Sequence, residues 1–132
     1  MKFIRSLTSG GLLVALAALA GPATAVEPAN FDVRNNAELA ALCSTPSTDP
    51  NYVGAMSFCY GVAVGFLRYY EALREGNELD PLFCFPEGTT RTQMITAYVS
   101  YSKAHPEYAK ESVGDTMLKF LVDTYPCAPH TK

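Results

Sequence analysis

The stretch Ser57-Phe58-Cys59-Tyr60-Gly61-Val62-Ala63-Val64-Gly65-Phe66-Leu67 decides the fold class of this chain. It lies in a longer run, from Asn51 to Leu67, that contains no charged residue. Gly61 and Gly65 are four residues apart, so in a helix they lie on one side and would let another backbone approach closely. The stretch therefore predicts a helix buried on most sides, pinned by a disulfide at Cys59 and closely packed at the two glycines.

A transmembrane span is the alternative interpretation of this stretch. A span needs about 20 consecutive apolar residues, and the uncharged run is shorter. It also contains three glycines, Ser57, Tyr60 and a cysteine that we expect to be bridged. The glycine pair would be a membrane dimerisation motif only if the segment spanned a bilayer. A helix buried in a bundle is therefore the better interpretation.

Residues 1–25 have the three parts of a cleavable secretory signal peptide. Lys2 and Arg5 supply a positive start, and an apolar run from Leu12 to Ala20 follows. Ala23-Thr24-Ala25 fits the small-x-small rule for cleavage after Ala25. No cysteine lies at the cleavage site, which argues against a lipid anchor. The sequence predicts export to the periplasm, with no membrane association after cleavage.

The mature chain, residues 26–132, is long enough for a single domain. The full chain has a formal net charge of −3, and removal of the signal's Lys2 and Arg5 makes the mature chain more acidic. Nucleic acids and anionic lipids attract proteins with a basic face. We therefore expect neither as a partner, whereas a basic protein partner is compatible with this charge.

The mature region contains an even number of cysteines, Cys43, Cys59, Cys84 and Cys127. In an exported chain this favours two disulfides. Four cysteines allow three pairings, and the sequence alone does not choose between them. We favour Cys43–Cys59 and Cys84–Cys127, because each pair would join neighbouring helices and the second would hold the C-terminus. A zinc site is disfavoured, because no C-x-x-C pair occurs and both histidines are distant from the cysteines in sequence.

Capping and breaking residues divide the mature chain into four helices. The expected N-terminal signals are Asn35 with Glu38, Asp49-Pro50, Thr90-x-x-Gln93 and Ser112, and the expected ends are Cys43, Gly76, His105-Pro106 and Pro126. Between the second and third helices, residues 77–88 predict a loop, part of which must pack down because it holds Leu79, Leu82, Phe83 and Phe85. No strand-like alternation of useful length occurs. The predicted fold is all-α: a small, disulfide-stapled bundle of four helices, or five if short helices are counted.

The sequence contains no constellation typical of catalysis. His105 precedes a proline and is expected at a helix end, and His130 lies in the C-terminal tail. The serines lack a G-x-S-x-G setting, and the cysteines are expected in disulfides. Glu107 and Glu111 are four residues apart, a spacing that exposed helix-surface acids explain. We predict no catalytic residue, no cofactor and no metal site, and hence a protein that is not an enzyme.

Five motifs in order resemble the Rap/Tai family of periplasmic immunity proteins linked to type VI secretion. They are Leu42-Cys43, Phe58-Cys59-x-Gly61-x-x-x-Gly65, Cys84-Phe85-Pro86-x-Gly88-x-Thr90-x-x-Gln93, Tyr101-x-x-x-His105-Pro106-Glu107 and Tyr125-Pro126-Cys127. The resemblance covers about Asn35 to Cys127. It implies an all-α, disulfide-stapled and often dimeric protein that binds a peptidoglycan amidase toxin and blocks its active-site cleft with a protruding loop.

Under this resemblance the matching residues are scaffold: Cys43, Cys59, Gly61, Gly65, Cys84, Pro86, Gln93, His105, Pro106 and Cys127. The toxin-contacting loops differ between family members, so interface residues do not transfer by position. From the residues themselves, we expect partner binding on two exposed loops with acidic and apolar or aromatic side chains. The candidates are Glu78, Leu79 and Asp80 in the first loop, and Glu107, Tyr108 and Glu111 in the second.

Two other classes of function remain open. The first is an envelope stress protein similar to the small acid-activated helical chaperones, which would lose structure near about pH 2–3 as its carboxylates protonate. The second is a small-ligand carrier or structural module with a groove lined by Tyr69 and Tyr70 or by Tyr98 and Tyr101.

Overall fold

The computed structural model describes residues 25–128, where the chain forms helices and no strand. The four α-helices are α1 (Asn36–Cys43), α2 (Tyr52–Gly76), α3 (Arg91–Ala104) and α4 (Val113–Thr124), with short 3₁₀-helices at Pro28–Phe31 and Pro106–Tyr108. Most of the predicted signal peptide and the tail with His130 lie outside the described residues. The all-α, disulfide-stapled bundle predicted from the sequence is confirmed.

Three of the four helix starts follow the predicted capping signals. The Asn35 side chain accepts a hydrogen bond from the Glu38 N–H at 3.1 Å, and Ser112 caps α4 in the same way. Thr90 and Gln93 form a reciprocal capping box at the start of α3. Each of these bonds joins residues three apart, so the sequence alone locates these helix starts.

The predicted start of α2 at Asp49-Pro50 is wrong by two residues, because the helix begins at Tyr52. The Asp49 carboxylate has other partners: it accepts from the Asn51 N–H at 2.7 Å and from the Val26 N–H at 2.9 Å. The Asn51 side chain in turn donates to the Val26 carbonyl at 2.7 Å. Asp49 thus ties the segment after the predicted cleavage site to the start of α2.

Each of the four helices contacts the other three, and α1 packs most extensively, against α2 and α3. The centre of the core is aromatic: the buried Phe120 ring lies 5.6 Å from both Tyr98 and Tyr101, edge to face. The Tyr98 hydroxyl donates to the buried Asn36 side chain at 2.6 Å, so both polar groups are satisfied in the interior. Burial raises the pKa of Tyr98 to about 12, and the hydroxyl therefore remains a donor at neutral pH.

Two disulfides close the bundle, and they are the pairs that we favoured from the sequence. Cys43–Cys59 joins the end of α1 to α2, and both of its residues are buried. Cys84–Cys127 joins the loop after α2 to the segment after α4, with Cys84 exposed. The first bridge belongs to the core, and the second holds surface segments together.

The close helix packing predicted at Gly61 and Gly65 is wrong. Both glycines are exposed, and no atom outside α2 among residues 25–128 lies within 4 Å of where a Cβ would stand. The helix instead buries a row of small residues with the same four-residue spacing, Ala55, Cys59 and Ala63. The disulfide at Cys59 turns this row toward α1.

We expect Gly61→Ala and Gly65→Ala each to raise the free energy of unfolding, by about 0.5–1 kcal/mol, because glycine disfavours a helix interior. Urea denaturation of the oxidised protein measures this gain. Gly88→Ala is the matched control and should destabilise, since Gly88 has a φ of 80°. A loss of stability at Gly61 or Gly65 would contradict the open space found there.

Within residues 25–128, no helix has both the length and the apolar character needed to cross a membrane.

Candidate protein-binding surface

Exposed apolar side chains concentrate in one part of the chain, from residue 69 to residue 85. Seven large hydrophobic residues are exposed within residues 25–128, and five of them lie on the C-terminal half of α2 or in the segment after it: Tyr69, Leu73, Leu79, Leu82 and Phe85. Three of these, Leu73, Leu79 and Leu82, line one groove, and we call these three the apolar patch. Single exposed hydrophobic residues are ordinary, whereas a cluster marks a candidate interaction surface.

A sharp reversal after α2 brings the leucines of the patch together. Glu78 takes a left-handed conformation, with φ 53°, which is uncommon for a residue other than glycine. The Leu79 N–H then donates back to the Arg74 carbonyl at 3.0 Å. Leu79 and Leu82 thereby line one groove of about 310 Å³ with Leu73.

Residues 82–84 are held by hydrogen bonds to α2 on one side and to the segment after α4 on the other. The Leu82 N–H donates to the Tyr70 hydroxyl at 2.7 Å, and the Cys84 N–H donates to the Tyr125 carbonyl at 2.7 Å. Between them, the buried Phe83 ring lies 4.6 Å from Tyr70. The prediction that part of this loop packs down is therefore met by Phe83, whereas Leu79, Leu82 and Phe85 are exposed.

Of the two candidate loops, the first lies at the patch. Glu78, Leu79 and Asp80 are all exposed, and Leu79 is 57% exposed. Within the described part of the chain, no ion pair involves Glu78 or Asp80. This loop therefore presents an apolar residue between two carboxylates that are free to meet a partner.

The side chains of the second loop are engaged within the molecule. Glu107 Oε1 lies 2.8 Å from His105 Nδ1, and this hydrogen bond lowers the pKa of Glu107. Tyr108 stacks on the His105 ring at 5.3 Å, and the Lys119 ammonium lies 4.3 Å from the centre of the Tyr108 ring. Lys119 also forms an ion pair with Glu111.

The backbone of the second loop completes the start of α1. The Ala109 carbonyl accepts from the Ala37 N–H, and the Glu111 carbonyl accepts from the Asn36 N–H, both at 3.0 Å. A helix leaves its first N–H groups without partners in its own backbone, and this loop satisfies two of them. The arrangement explains residues 107–111 as structural, so the first loop is the stronger candidate for partner binding.

The tyrosine pairs considered for a ligand groove do not line one together. Tyr98 is fully buried and Tyr69 is 66% exposed. Tyr101 donates to the Asp123 carboxylate at 2.7 Å, and burial together with this bond raises the pKa of Tyr101. Among residues 25–128, no group of three metal-ligating side chains lies close enough to hold an ion.

The sequence analysis gave no binding role to two members of the patch, Leu73 and Leu82. A partial signal existed. Tyr69 and Leu73 are four apart, so they share one side of α2, and the following loop has more apolar residues than a short irregular segment can bury. Which of them face solvent depends on contacts with Tyr70 and Tyr125, which no local pattern encodes.

One of three comparisons with known proteins found a match. The sequence model of a family described as Rap1a immunity proteins matches residues 35–127. A search of curated proteins found no significant match, and neither did a search of solved structures. The matched range begins at the N-cap of α1 and ends at the last bridged cysteine, so it includes all four helices and the apolar patch. On this match over most of its length, the chain belongs to the Rap1a immunity protein family.

Proposed function

We propose that this protein acts in the periplasm as an immunity protein that binds a peptidoglycan amidase toxin of type VI secretion and blocks its active site. Membership of an immunity family supports a toxin as the partner. The signal-peptide features of residues 1–25 support the compartment. The exposed groove lined by Leu73, Leu79 and Leu82 is the observation that carries the proposal, because it supplies an apolar surface on which a protein partner could dock.

The patch has the composition of the centre of a protein interface. Leucine side chains would bury apolar area, while Arg74 and Asp80 line the same groove and Glu78 is exposed next to Leu79. Interfaces combine an apolar centre with a polar rim, and a few central residues dominate the affinity. The side chains at the reversal, from Glu78 to Asp80, are suited to enter a concave cleft.

Neutralisation on this proposal requires no chemistry from the immunity protein. An amidase cleft that holds a cysteine–histidine pair must admit a peptide strand, and a docked loop excludes that strand by occupying its place. The acidic rim would also complement a protonated histidine in the cleft. The proposal includes a homodimer, as the resemblance implies. Light scattering of the oxidised mature protein measures its molar mass and so tests for the dimer.

An envelope chaperone is a second candidate, since an exposed apolar patch also suits unfolded clients. The two differ in their response to acid. A chaperone of that class would lose near-ultraviolet circular dichroism and gain client binding near about pH 2–3, whereas an immunity protein binds one folded partner at neutral pH.

The first experiment is capture with oxidised residues 26–132 as bait on extract of the source bacterium. Under the proposal, one amidase is retained at near-equal stoichiometry, and added bait inhibits its cleavage of peptidoglycan. Retention of many envelope proteins, increasing at acid pH, would instead support the chaperone. An amidase that is retained but remains fully active would contradict the blocking mechanism.

We expect Leu79→Asp combined with Leu82→Asp to weaken binding of the captured amidase by at least about 30-fold, because a carboxylate at the centre of an apolar interface loses its hydration. Isothermal titration calorimetry measures the affinity. Val53→Asp is the matched control: Val53 is 74% exposed on α2 outside the patch, and its replacement should change affinity less than threefold. Equal affinities for the two variants would place the interface elsewhere.

A further inference from the structure

A second groove lies between α2 and the start of α3. Its apolar wall consists of Val64, Leu67, Phe85 and Met94, and its charged residues are Arg91 and the ion pair of Arg68 with Glu71. We call this second groove the arginine groove. Phe85 is one of the exposed hydrophobic residues that follow α2.

The arginines of the chain are not equivalent. Within residues 25–128, three of the four lie against carboxylates: Arg34 with Asp32, Arg68 with Glu71 at 2.8 Å and Arg74 with Glu75 at 4.0 Å. Arg91 has no carboxylate within 4.0 Å among the described residues. Its guanidinium is a planar fork of donors that matches a carboxylate in two parallel hydrogen bonds. On an acidic chain, Arg91 is thus a cation left available for an outside anion.

The size of the arginine groove limits what it can hold. Its volume is about 230 Å³, below the roughly 300–1,000 Å³ of pockets for small molecules and cofactors. One or two side chains fit this volume. The apolar wall favours a hydrophobic side chain, and Arg91 favours a carboxylate next to it.

We propose that the arginine groove binds a segment of the toxin in which an aspartate or glutamate adjoins a hydrophobic residue, with Arg91 as the carboxylate ligand. This inference rests on the proposed function for the identity of the partner. The apolar patch supplies buried area that many partners could match. Arg91 adds a charge requirement, which selects among toxins and makes association depend on ionic strength.

The groove is tested first without a toxin, by titrating ¹⁵N-labelled oxidised protein with N-acetyl-L-phenylalaninate. We expect saturable, roughly millimolar binding, with amide shifts centred on Val64, Arg68, Arg91 and Met94. The neutral N-acetyl-L-phenylalaninamide should produce less than a fifth of these shifts. Arg91→Gln should weaken binding at least fivefold, and Lys110→Gln, an exposed cation outside the groove, should leave it unchanged. Equal shifts with the amide, or shifts spread over the surface, would overturn the proposal.

The second test uses the captured amidase. Arg91→Glu should weaken toxin binding at least tenfold and reduce its dependence on salt, whereas Lys110→Glu should change it less than threefold. Arg91 is the first residue of α3, where a negative side chain favours the helix, so unfolding would not explain a loss of affinity. Wild-type affinity for Arg91→Glu overturns the groove and leaves the patch and the proposed function standing. Absence of any bound amidase overturns the proposed function and this inference with it, whatever the titration shows.

Discussion

Phe120→Ala is expected to lower the free energy of unfolding by about 3–5 kcal/mol. Phe120 is fully buried, and its ring meets Tyr98, Tyr101 and Tyr125 edge to face, with centroids 5.6–5.8 Å apart. Alanine would remove these contacts and leave a cavity that the surrounding helices fill only in part. A domain of this size has about 5–15 kcal/mol in total, so the loss is a large share of its stability.

Urea denaturation with the disulfides intact measures this effect, and thermal unfolding should show a fall in Tm of more than about 12 °C. Val122→Ala is the matched control. Val122 lies two residues further along α4 and is 36% exposed, so its truncation should cost less than about 1 kcal/mol. Similar losses for the two variants would mean that Phe120 is not at the centre of the core.

Removal of the buried disulfide is expected to cost more than removal of the exposed one, although the buried one closes the shorter loop. Chain entropy alone gives about 3 kcal/mol for Cys43–Cys59, with a sequence separation of 16, and about 4 kcal/mol for Cys84–Cys127, with a separation of 43. Replacement of the cysteines by serine is expected to reverse this order of stability losses. Cys59 and Cys43 are only 0% and 7% exposed, so the new hydroxyl groups would be buried. Each buried hydroxyl without a partner costs a further 1–3 kcal/mol or so.

We therefore expect Cys43→Ser with Cys59→Ser to lose about 5 kcal/mol or more and to be largely unfolded by circular dichroism. Cys84→Ser with Cys127→Ser should remain helical, with new proteolytic cleavage confined to residues 77–85. That segment holds Leu79 and Leu82 of the apolar patch, so toxin affinity should fall even though the bundle persists. A greater loss of helix from the second variant than from the first would contradict this assignment of roles.

The contacts that stabilise the helical bundle differ from those that hold the candidate binding surface. Phe120, Tyr98 and the buried disulfide stabilise the bundle from within, whereas the patch depends on two hydrogen bonds, Phe83 and the exposed disulfide. A surface held by so few contacts can vary in sequence without loss of the core. This is the physical basis on which one scaffold could serve different toxins.

Local features of this protein were determined by the sequence itself. Asn35, Thr90 with Gln93, and Ser112 locate three helix starts, because each cap bonds to a backbone group only three residues away. The order of the five motifs was sufficient to indicate the family, which the match over residues 35–127 shows. These features can be predicted without knowing which helices pack against one another.

Tertiary contacts decided which face of α2 is buried and which groups Asp49 bonds. Along α2, exposed Gly61 and Gly65 and buried Ala55, Cys59 and Ala63 share one spacing, so periodicity cannot tell which row faces inward. That choice followed from the disulfide and from the packing of α1. Likewise Asp49 bonds Val26, far away in sequence, and does not begin α2.

The candidate binding surface also has some features that are visible in the sequence and others that depend on tertiary contacts. The acidic and apolar character of Glu78, Leu79 and Asp80 is visible in the sequence, and the structure leaves this loop exposed. The engagement of residues 107–111 at the start of α1 joins segments about 70 residues apart in the chain. The outward orientation of Leu82 and Phe85 depends on Phe83 reaching Tyr70. Such long-range bonds leave no local pattern, and only the folded chain decides them.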